Sequence, residues 1–113
     1  MVGVMAGEPS KQHDDGMQPM KRLDIVVDTL HLSRLLTKLR QAGATGYTVM
    51  PNASGFGDRG DQRADDVSGV STNACVMLAV PLESAPQVIE AARVALRKYG
   101  GVCMVSDCQW LEH

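Results

Sequence analysis

Residues that could bind an anion are concentrated in one polar stretch of the chain, from position 54 to position 71. Glycines recur there at short intervals, at Gly55, Gly57 and Gly60. Glycine allows positive φ angles and a close backbone approach, so several N–H groups could converge on a phosphate or a carboxylate. Arg59 and Arg63 would add guanidinium groups that suit the same anions. The alternative is a solvated loop without a ligand, because a glycine-rich loop alone is a weak signal.

Residues that could carry out catalysis are scattered along the chain. His13 lies in the predicted leader and His113 in the predicted tag, and none of the three histidines has a plausible catalytic partner. We interpret His31 as an exposed residue at the start of a helix. Asp24 and Asp28 would share one face of a strand, at a solvated or interfacial position. The sequence contains neither a Walker motif nor a nucleophile-elbow motif. We therefore expect a binding protein without enzymatic activity, metal or cofactor.

The three cysteines indicate neither a disulfide framework nor a zinc site. Cys75 and Cys103 are expected to be small residues of the core. Cys103 and Cys108 lie five positions apart, so an unbroken strand would point them to opposite faces. Cys108 is the candidate for redox chemistry.

Composition argues against several other classes of protein. The 113 residues suffice for one domain, with 44% hydrophobic and 21% charged residues. A net charge of −2 and an aromatic content of 4% argue against nucleic-acid binding, which favours basic faces and stacking platforms. No apolar run is long enough to cross a bilayer, and the first residues lack the features of a secretory signal. A cytoplasmic location is the expectation.

Hydrophobic periodicity predicts an ordered domain over residues 21–110. Residues 1–20 show no period and are interpreted as a disordered leader, and residues 111–113 as the start of an affinity tag. Alternating apolar residues from Leu23 to Val27 predict a first strand. Apolar residues at helical spacing from Leu32 to Ala42 then predict an amphipathic helix.

The rest of the domain predicts a second set of strands around a second helix. A strand is predicted from Tyr47 to Met50, and the long polar loop follows it with no strand period of its own. The segment Ala74–Val80 is apolar on both faces, which is typical of a buried strand. Ser84 and Gln87 have the spacing of a capping box at the start of the second helix. The last strand is predicted from Val102 to Trp110.

This order of elements, βαββαβ, predicts an α+β fold of the ferredoxin-like type. Right-handed crossovers place both helices on one face of a four-stranded antiparallel sheet. The long loop connects the second and third strands, and the other face of the sheet is left open. Because the third strand is apolar on both faces, we expect neighbouring subunits of a homo-oligomer to cover the open face.

The chain from Lys21 to Trp110 resembles the PII family of trimeric signalling proteins. The matching segments, in the family's order and spacing, are Lys21–Ile25, Thr45–Val49, Gly55–Gly57 and Val80–Pro81. The resemblance implies a homotrimer that binds adenine nucleotides in clefts between subunits. It also implies that the long loop is the family's T-loop, which contacts a protein target.

The resemblance further implies which residues bind ligands. The nucleotide-binding residues would be Gly46, Tyr47, Thr48, Ser54, Gly55, Phe56, Gly57, Gly100 and Gly101. Thr48 matches the family threonine that contacts adenine, and the glycines at the loop base match those beside the phosphates. Bicarbonate would bind at Gly57, Asp58 and Arg59, through backbone N–H groups and the guanidinium group.

Two departures from the family pattern indicate a ligand other than ATP. Asp58 stands where standard PII proteins have a phosphate-binding arginine, and a carboxylate repels a triphosphate. The lysine-containing loop after the second helix is missing, because Gly100 and Gly101 lead almost directly into the last strand. Residues 61–71 also lack the tyrosine that is uridylylated in enterobacterial relatives.

These departures make the chain most similar to the carboxysome-associated PII group. That resemblance implies ADP or AMP as the ligand, coupling to bicarbonate, and a target in inorganic-carbon metabolism. A membrane would be contacted only indirectly, through a transporter. Two alternatives are a cyclic-AMP-type regulator of a bicarbonate transporter and a structural or metal-handling trimer similar to the CutA proteins. Adenine-nucleotide binding separates the CutA alternative from the other two.

A loop that becomes ordered when the ligand binds should be protected from proteolysis. We predict that trypsin cleaves after Arg59 and Arg63, and that ADP or AMP slows this cleavage. The measurement is the rate of cleavage with and without each nucleotide. Equal rates under all conditions would contradict a disorder-to-order switch.

Overall fold

The four strands of the main sheet and the two helices follow one another in the order that the sequence predicts. The computed structural model describes residues 16–57, 60–62 and 72–113, and only the backbone of 55–57 and 60–62. A 3-10 turn, Thr29–His31, joins β1 to α1. The strands and helices are β1 (Met17–Asp28), α1 (Leu32–Gln41), β2 (Thr48–Ala53), β3 (Gly55–Gly57), β4 (Gly60–Gln62), β5 (Asn73–Pro81), α2 (Ala85–Tyr99) and β6 (Val102–Leu111).

The main sheet has four antiparallel strands in the order β2-β5-β1-β6. This is the ferredoxin-like arrangement, and it confirms the predicted fold class. β3 and β4 form a separate two-stranded sheet at the base of the long loop. No helix among the described residues is long and apolar enough to cross a membrane.

The hydrophobic core lies between the helices and one face of the sheet. Alternate residues of β1, Leu23, Ile25 and Val27, are at most 1% exposed and face the helices. Leu35 of α1 and Val88 of α2 are fully buried against them. The apolar periods of the sequence therefore identify the inner faces of these three elements correctly.

The opposite face of the sheet, which we call the open face, is only partly covered in one chain. Asp24 of β1 lies there between Met77 of β5 and Met104 of β6. The exposed fractions of Met104 and Val102 are 71% and 64%. An exposed apolar sheet face of this kind is typical of a protein–protein interface.

The cysteines are divided between the two faces. Cys103 pairs with Ile25 and packs against the core, as predicted. Cys75 pairs with Val26 on the open face, so the prediction that it belongs to the core was wrong. Cys108 also lies on the open face, and all three thiols are free and half-buried.

The start of β1 and the end of β6 lie beyond the predicted boundaries, because the two strands pair with each other there. β1 begins at Met17, which pairs with Leu111 of β6, and Glu112 N–H donates to Gly16 O at 2.8 Å. The predicted leader boundary at residue 20 and the predicted end of the domain at residue 110 therefore cut through a continuous ladder. Residues 1–15 lie outside the described part of the chain.

The start of α2 also differs from the prediction. Ser84 is the N-cap residue, but its side chain makes no capping hydrogen bond, so the capping box is not formed. Its φ and ψ of −94° and −13° are helical, whereas a capping serine usually has an extended backbone. Pro86 in the first turn preorganises the helix start instead.

Burial makes the stability contribution of Cys103 dependent on pH. Partial burial raises the pKa of its thiol, and the nearby charge of Asp24 raises it further. A raised folded-state pKa stabilises the fold at low pH, and this contribution is lost as pH rises past the ordinary value near 9. We predict that the difference in unfolding free energy between wild type and Cys103→Ala shrinks above pH 9 in urea titrations. A constant difference from pH 7 to 10 would contradict this assignment.

Candidate functional site

The base of the long loop begins at an irregularity in β2. The pairing of β2 with β5 shifts register between Met50 and Ala53. Pro51 cannot donate to the ladder, and Asn52 has a positive φ of 60°. Asparagine tolerates this left-handed conformation better than most residues do. The bulge ends the regular pairing and precedes the glycines that were predicted to bind a ligand.

Those glycines form a short β-hairpin. In it Gly55 pairs with Gln62 and Gly57 with Gly60. The prediction that the whole loop lacks strand structure was therefore wrong at its base. Asp58 and Arg59, which join the two strands, and Arg63 lie outside the described residues. Their predicted contacts with an anion stay predictions.

The predicted adenine-binding residues lie at the start of β2, the strand at one edge of the sheet. Gly46 and Thr48 are exposed, and Thr48 pairs with Met77 on the open face. Tyr47 is held differently, because its ring packs against the core and its hydroxyl accepts a hydrogen bond from Arg40 Nη1 at 2.6 Å. Thr48 is thus accessible to a ligand, and Tyr47 is fixed by α1.

The predicted glycines after α2 form a tight turn against β1. Gly100 has a φ of 79°, and its N–H donates to Leu96 O at 2.8 Å. Gly101 has a φ of 115°, and a Cβ atom placed on it would lie 2.5 Å from Val26 O. Only glycine fits both the conformation and the close approach. The chain therefore enters β6 directly after this two-residue turn.

The returning end of the long loop is bonded to the end of β1. Thr29 N–H donates to Thr72 O at 2.8 Å, and the two hydroxyls lie 3.1 Å apart. Asp28 Oδ1 accepts from Leu30 N–H at 2.9 Å, while Asp24 accepts from Arg22. The two aspartates therefore serve separate structural contacts and do not form a carboxylate pair.

One chain does not bring all the predicted site residues together. Thr48 and Ser54 lie on or next to β2 at one edge of the sheet, whereas Gly101 precedes β6 at the other edge. Two strands separate these edges, which corresponds to about 14 Å at the usual strand spacing. One chain therefore holds these two groups of predicted site residues at opposite edges of its sheet.

Charges near the site are exposed or paired among the described residues. Arg22 is exposed, and its hydrogen bond to Asp24 raises the pKa of its guanidinium group. Lys21 Nζ lies 2.5 Å from Asp107 Oδ1. The described residues contain no cluster of side chains suited to a metal ion.

Sequence reasoning missed several residues that shape the site. Asn52 has a recognisable signal, because a Pro-Asn pair inside an apolar run indicates a bulge or turn. The Thr29–Thr72 contact has no such signal, since it joins residues 43 positions apart. His31 was expected to be exposed, but it is half-buried and its ring stacks on that of Tyr99.

Comparison with known proteins gives a consistent result. Residues 20–112 match the family described as nitrogen regulatory protein P-II. No curated protein matches the chain. Among solved structures, CPII from Thiomonas intermedia bound to ADP and bicarbonate is 27% identical, with a TM-score of 0.73. The alignment covers 85% of this chain and 92% of that one.

Two further structures of the same CPII protein are also similar. The complex with ADP, AMP and bicarbonate is 27% identical, with a TM-score of 0.74 and coverage of 85% of this chain and 92% of that one. The apo form is 26% identical, with a TM-score of 0.66, and the alignment covers 83% of this chain and 94% of that one. The alignments with these structures thus cover more than four fifths of this chain.

Alanine substitutions at Gly101 and Gly46 provide a matched test of the geometry of the turn before β6. Gly101→Ala should lower the unfolding free energy by about 1–3 kcal/mol, because it combines a strained φ with a clash against Val26 O. Gly46→Ala should change it by less than about 0.5 kcal/mol, because nothing lies within 4 Å of the added Cβ. Urea titrations of the wild type and of both variants measure the unfolding free energy. An equal change in the two variants would contradict the described turn.

Proposed function

The chain belongs to the nitrogen regulatory protein P-II family, and from that premise we propose that it is a regulator that binds ADP or AMP between subunits. We further propose that bicarbonate binding is coupled to nucleotide binding. The T-loop, the long loop between β2 and β5, then communicates the bound state to a protein target in inorganic-carbon metabolism. The protein acts in the cytoplasm, and it contacts a membrane only through such a target.

The separation of the site residues on the sheet supports a ligand site between subunits. Thr48 and the loop base lie at the β2 edge, and the Gly100–Gly101 turn lies at the β6 edge. An assembly that places the β2 edge of one copy beside the β6 edge of the next would complete the site. This is the single observation on which the proposed binding mode depends.

The open face supports assembly into a trimer, the state that PII-like proteins form. Its apolar side chains include Met50, Val102 and Met104, whose exposed fractions are 44%, 64% and 71%. Covering these side chains would stabilise the assembly by about 25 cal/mol for each Å² of apolar surface removed from water. Helices already occupy the other face, so the open face is the one that neighbouring copies can cover.

The short turn after α2 favours a nucleotide with fewer phosphates than ATP. Only Gly100 and Gly101 separate α2 from β6, so this turn carries no lysine to neutralise a terminal phosphate. CPII, which shares the fold, has one structure bound to ADP and bicarbonate and another bound to ADP, AMP and bicarbonate. These two facts support ADP or AMP as the nucleotide.

The bicarbonate site is proposed at the tip of the β3–β4 hairpin. Gly57 ends β3 and leads into Asp58 and Arg59, whose backbone N–H groups and guanidinium would bind a small anion. The CPII complex with ADP and bicarbonate supports simultaneous binding of the two anions in a protein of this fold. Further donors must separate them, because a phosphate and bicarbonate repel each other.

Calorimetric titration of the protein tests the proposal directly. The ligands are ADP, AMP, ATP and cyclic AMP, each with and without bicarbonate. We expect ADP or AMP to bind, and bicarbonate to strengthen binding by roughly 5- to 150-fold, the usual range for coupled sites. Binding of cyclic AMP alone would instead indicate the transporter-regulator type. No binding of any adenine nucleotide would overturn the proposed function.

A pair of threonine variants tests the assignment of Thr48. Thr48→Val removes a hydroxyl that we propose contacts adenine, and it should weaken ADP binding roughly two- to tenfold, the size of one hydrogen bond. Thr37→Val is the matched control, because its hydroxyl bonds to Ser33 O within α1. Equal ADP affinity of the two variants would contradict the role of Thr48.

A further inference from the structure

An aromatic contact joins the start of α1 to the end of α2. The rings of His31 and Tyr99 are stacked, with centroids 4.6 Å apart and planes inclined by 17°. Lys98 Nζ lies 5.5 Å from the Tyr99 centroid, within the range of a cation–π interaction. Both rings are half-buried, and Tyr99 packs against the edge of the core. The stack therefore lies at the surface, where a ligand can reach the adjoining backbone.

Each ring adjoins a backbone segment of the candidate site. Tyr99 directly precedes the Gly100–Gly101 turn, and Gly101 is pressed against Val26 O of β1. His31 ends the 3-10 turn that starts at Thr29, whose N–H and hydroxyl contact Thr72 at the returning end of the long loop. A continuous series of contacts therefore connects the glycine turn with the base of the loop.

We infer that the His31–Tyr99 stack positions the Gly100–Gly101 turn for ligand binding. The stack holds this turn in a fixed position relative to the Thr29–Thr72 contact. This inference rests on the proposed function, because the proposed function is what assigns a nucleotide ligand to the turn. Gly100 and Gly101 both have positive φ, and glycine has more backbone freedom than any other residue, so this turn depends on its neighbours for a defined conformation. The stack fixes the residue immediately before the turn.

A ring that merely filled the core would be expected to be fully buried. Among the residues that the structure describes, the fully buried side chains are aliphatic, such as Leu35 and Val88, whereas His31 and Tyr99 are only partly covered. Stacking adds an orientation preference that aliphatic contacts lack. The geometry therefore suits a role in placing the turn more than a role in filling space.

Four single variants and one control variant test this inference, with ADP affinity as the main measurement. Tyr99→Leu and His31→Ala remove the stack and should each weaken ADP binding roughly three- to tenfold, the contribution of one aromatic pair. Tyr99→Phe and His31→Phe keep two stacked rings and should bind ADP as wild type does. Leu30→Ala is the matched control, because Leu30 adjoins His31 and is 78% exposed.

A double variant and an amide probe separate positioning from general destabilisation. Tyr99→Leu combined with His31→Ala should bind ADP no more weakly than Tyr99→Leu alone, because both remove one contact. Hydrogen exchange at the Thr29 amide should slow when ADP is added to wild type and to Tyr99→Phe, and should respond less in Tyr99→Leu. Urea unfolding without ligand establishes that each variant is folded under the conditions used.

The outcomes distinguish this inference from the proposed function. Wild-type ADP affinity in Tyr99→Leu and His31→Ala would overturn the positioning role and leave the proposed function standing. An equal loss of affinity in Tyr99→Phe and Tyr99→Leu would also overturn it, because the hydroxyl and not the stacked ring would then be responsible. Wild-type protein that binds no adenine nucleotide would overturn the proposed function and this inference together.

Discussion

The structure depends on β1 being paired along both of its edges. β1 pairs with β5 from Met20 to Asp28 and with β6 from Met17 to Val26, without a register shift in either ladder. Side chains alternate between faces, so a slip of one residue would move Leu23, Ile25 and Val27 from the core to the open face. The two unbroken registers therefore decide together where the core lies and which face is left open. They also bring the returning end of the long loop and the turn after α2 beside the end of β1.

The open face combines apolar side chains with one ion pair. Arg22 Nε lies 3.1 Å from Asp24 Oδ2, in the middle of a surface that includes Met77 and Met104. Covering a lone charge would cost several kcal/mol, of the order found for unpaired buried ions. Arg22 and Asp24 are already paired within one chain. A neighbouring copy that covers this face therefore does not have to bury either charge unpaired. This arrangement is compatible with a buried subunit interface.

Backbone conformations that most residues avoid occur at both edges of the sheet. Asn52 has a φ of 60° at the bulge in β2, and Gly101 has a φ of 115° before β6. Such conformations persist only where the surrounding structure enforces them, and they are often found at functional sites. Here the bulge redirects the chain into the β3–β4 hairpin, and the turn brings the backbone against Val26. Each edge of the sheet thus has one irregular backbone segment.

The sequence by itself determined the four strands of the main sheet and the two helices, because their signals are local. Alternating residues around Ile25, helical spacing around Leu35 and the apolar run around Val76 each identify a buried face from adjacent positions. The departures at Asp58 and Gly100 were likewise readable, and they indicated a ligand other than ATP.

Only the tertiary structure decided how these elements meet. The pairing of Met17 with Leu111, the contact of Thr29 with Thr72 and the stacking of His31 on Tyr99 join residues far apart in the chain. No local period encodes them, because they depend on strand order and register. The same holds for Cys75, whose apolar surroundings in sequence fit either face, and which the pairing of β5 with β1 places on the open one. The separation of the site residues between two sheet edges follows from strand order as well, and that order is a property of the packed chain.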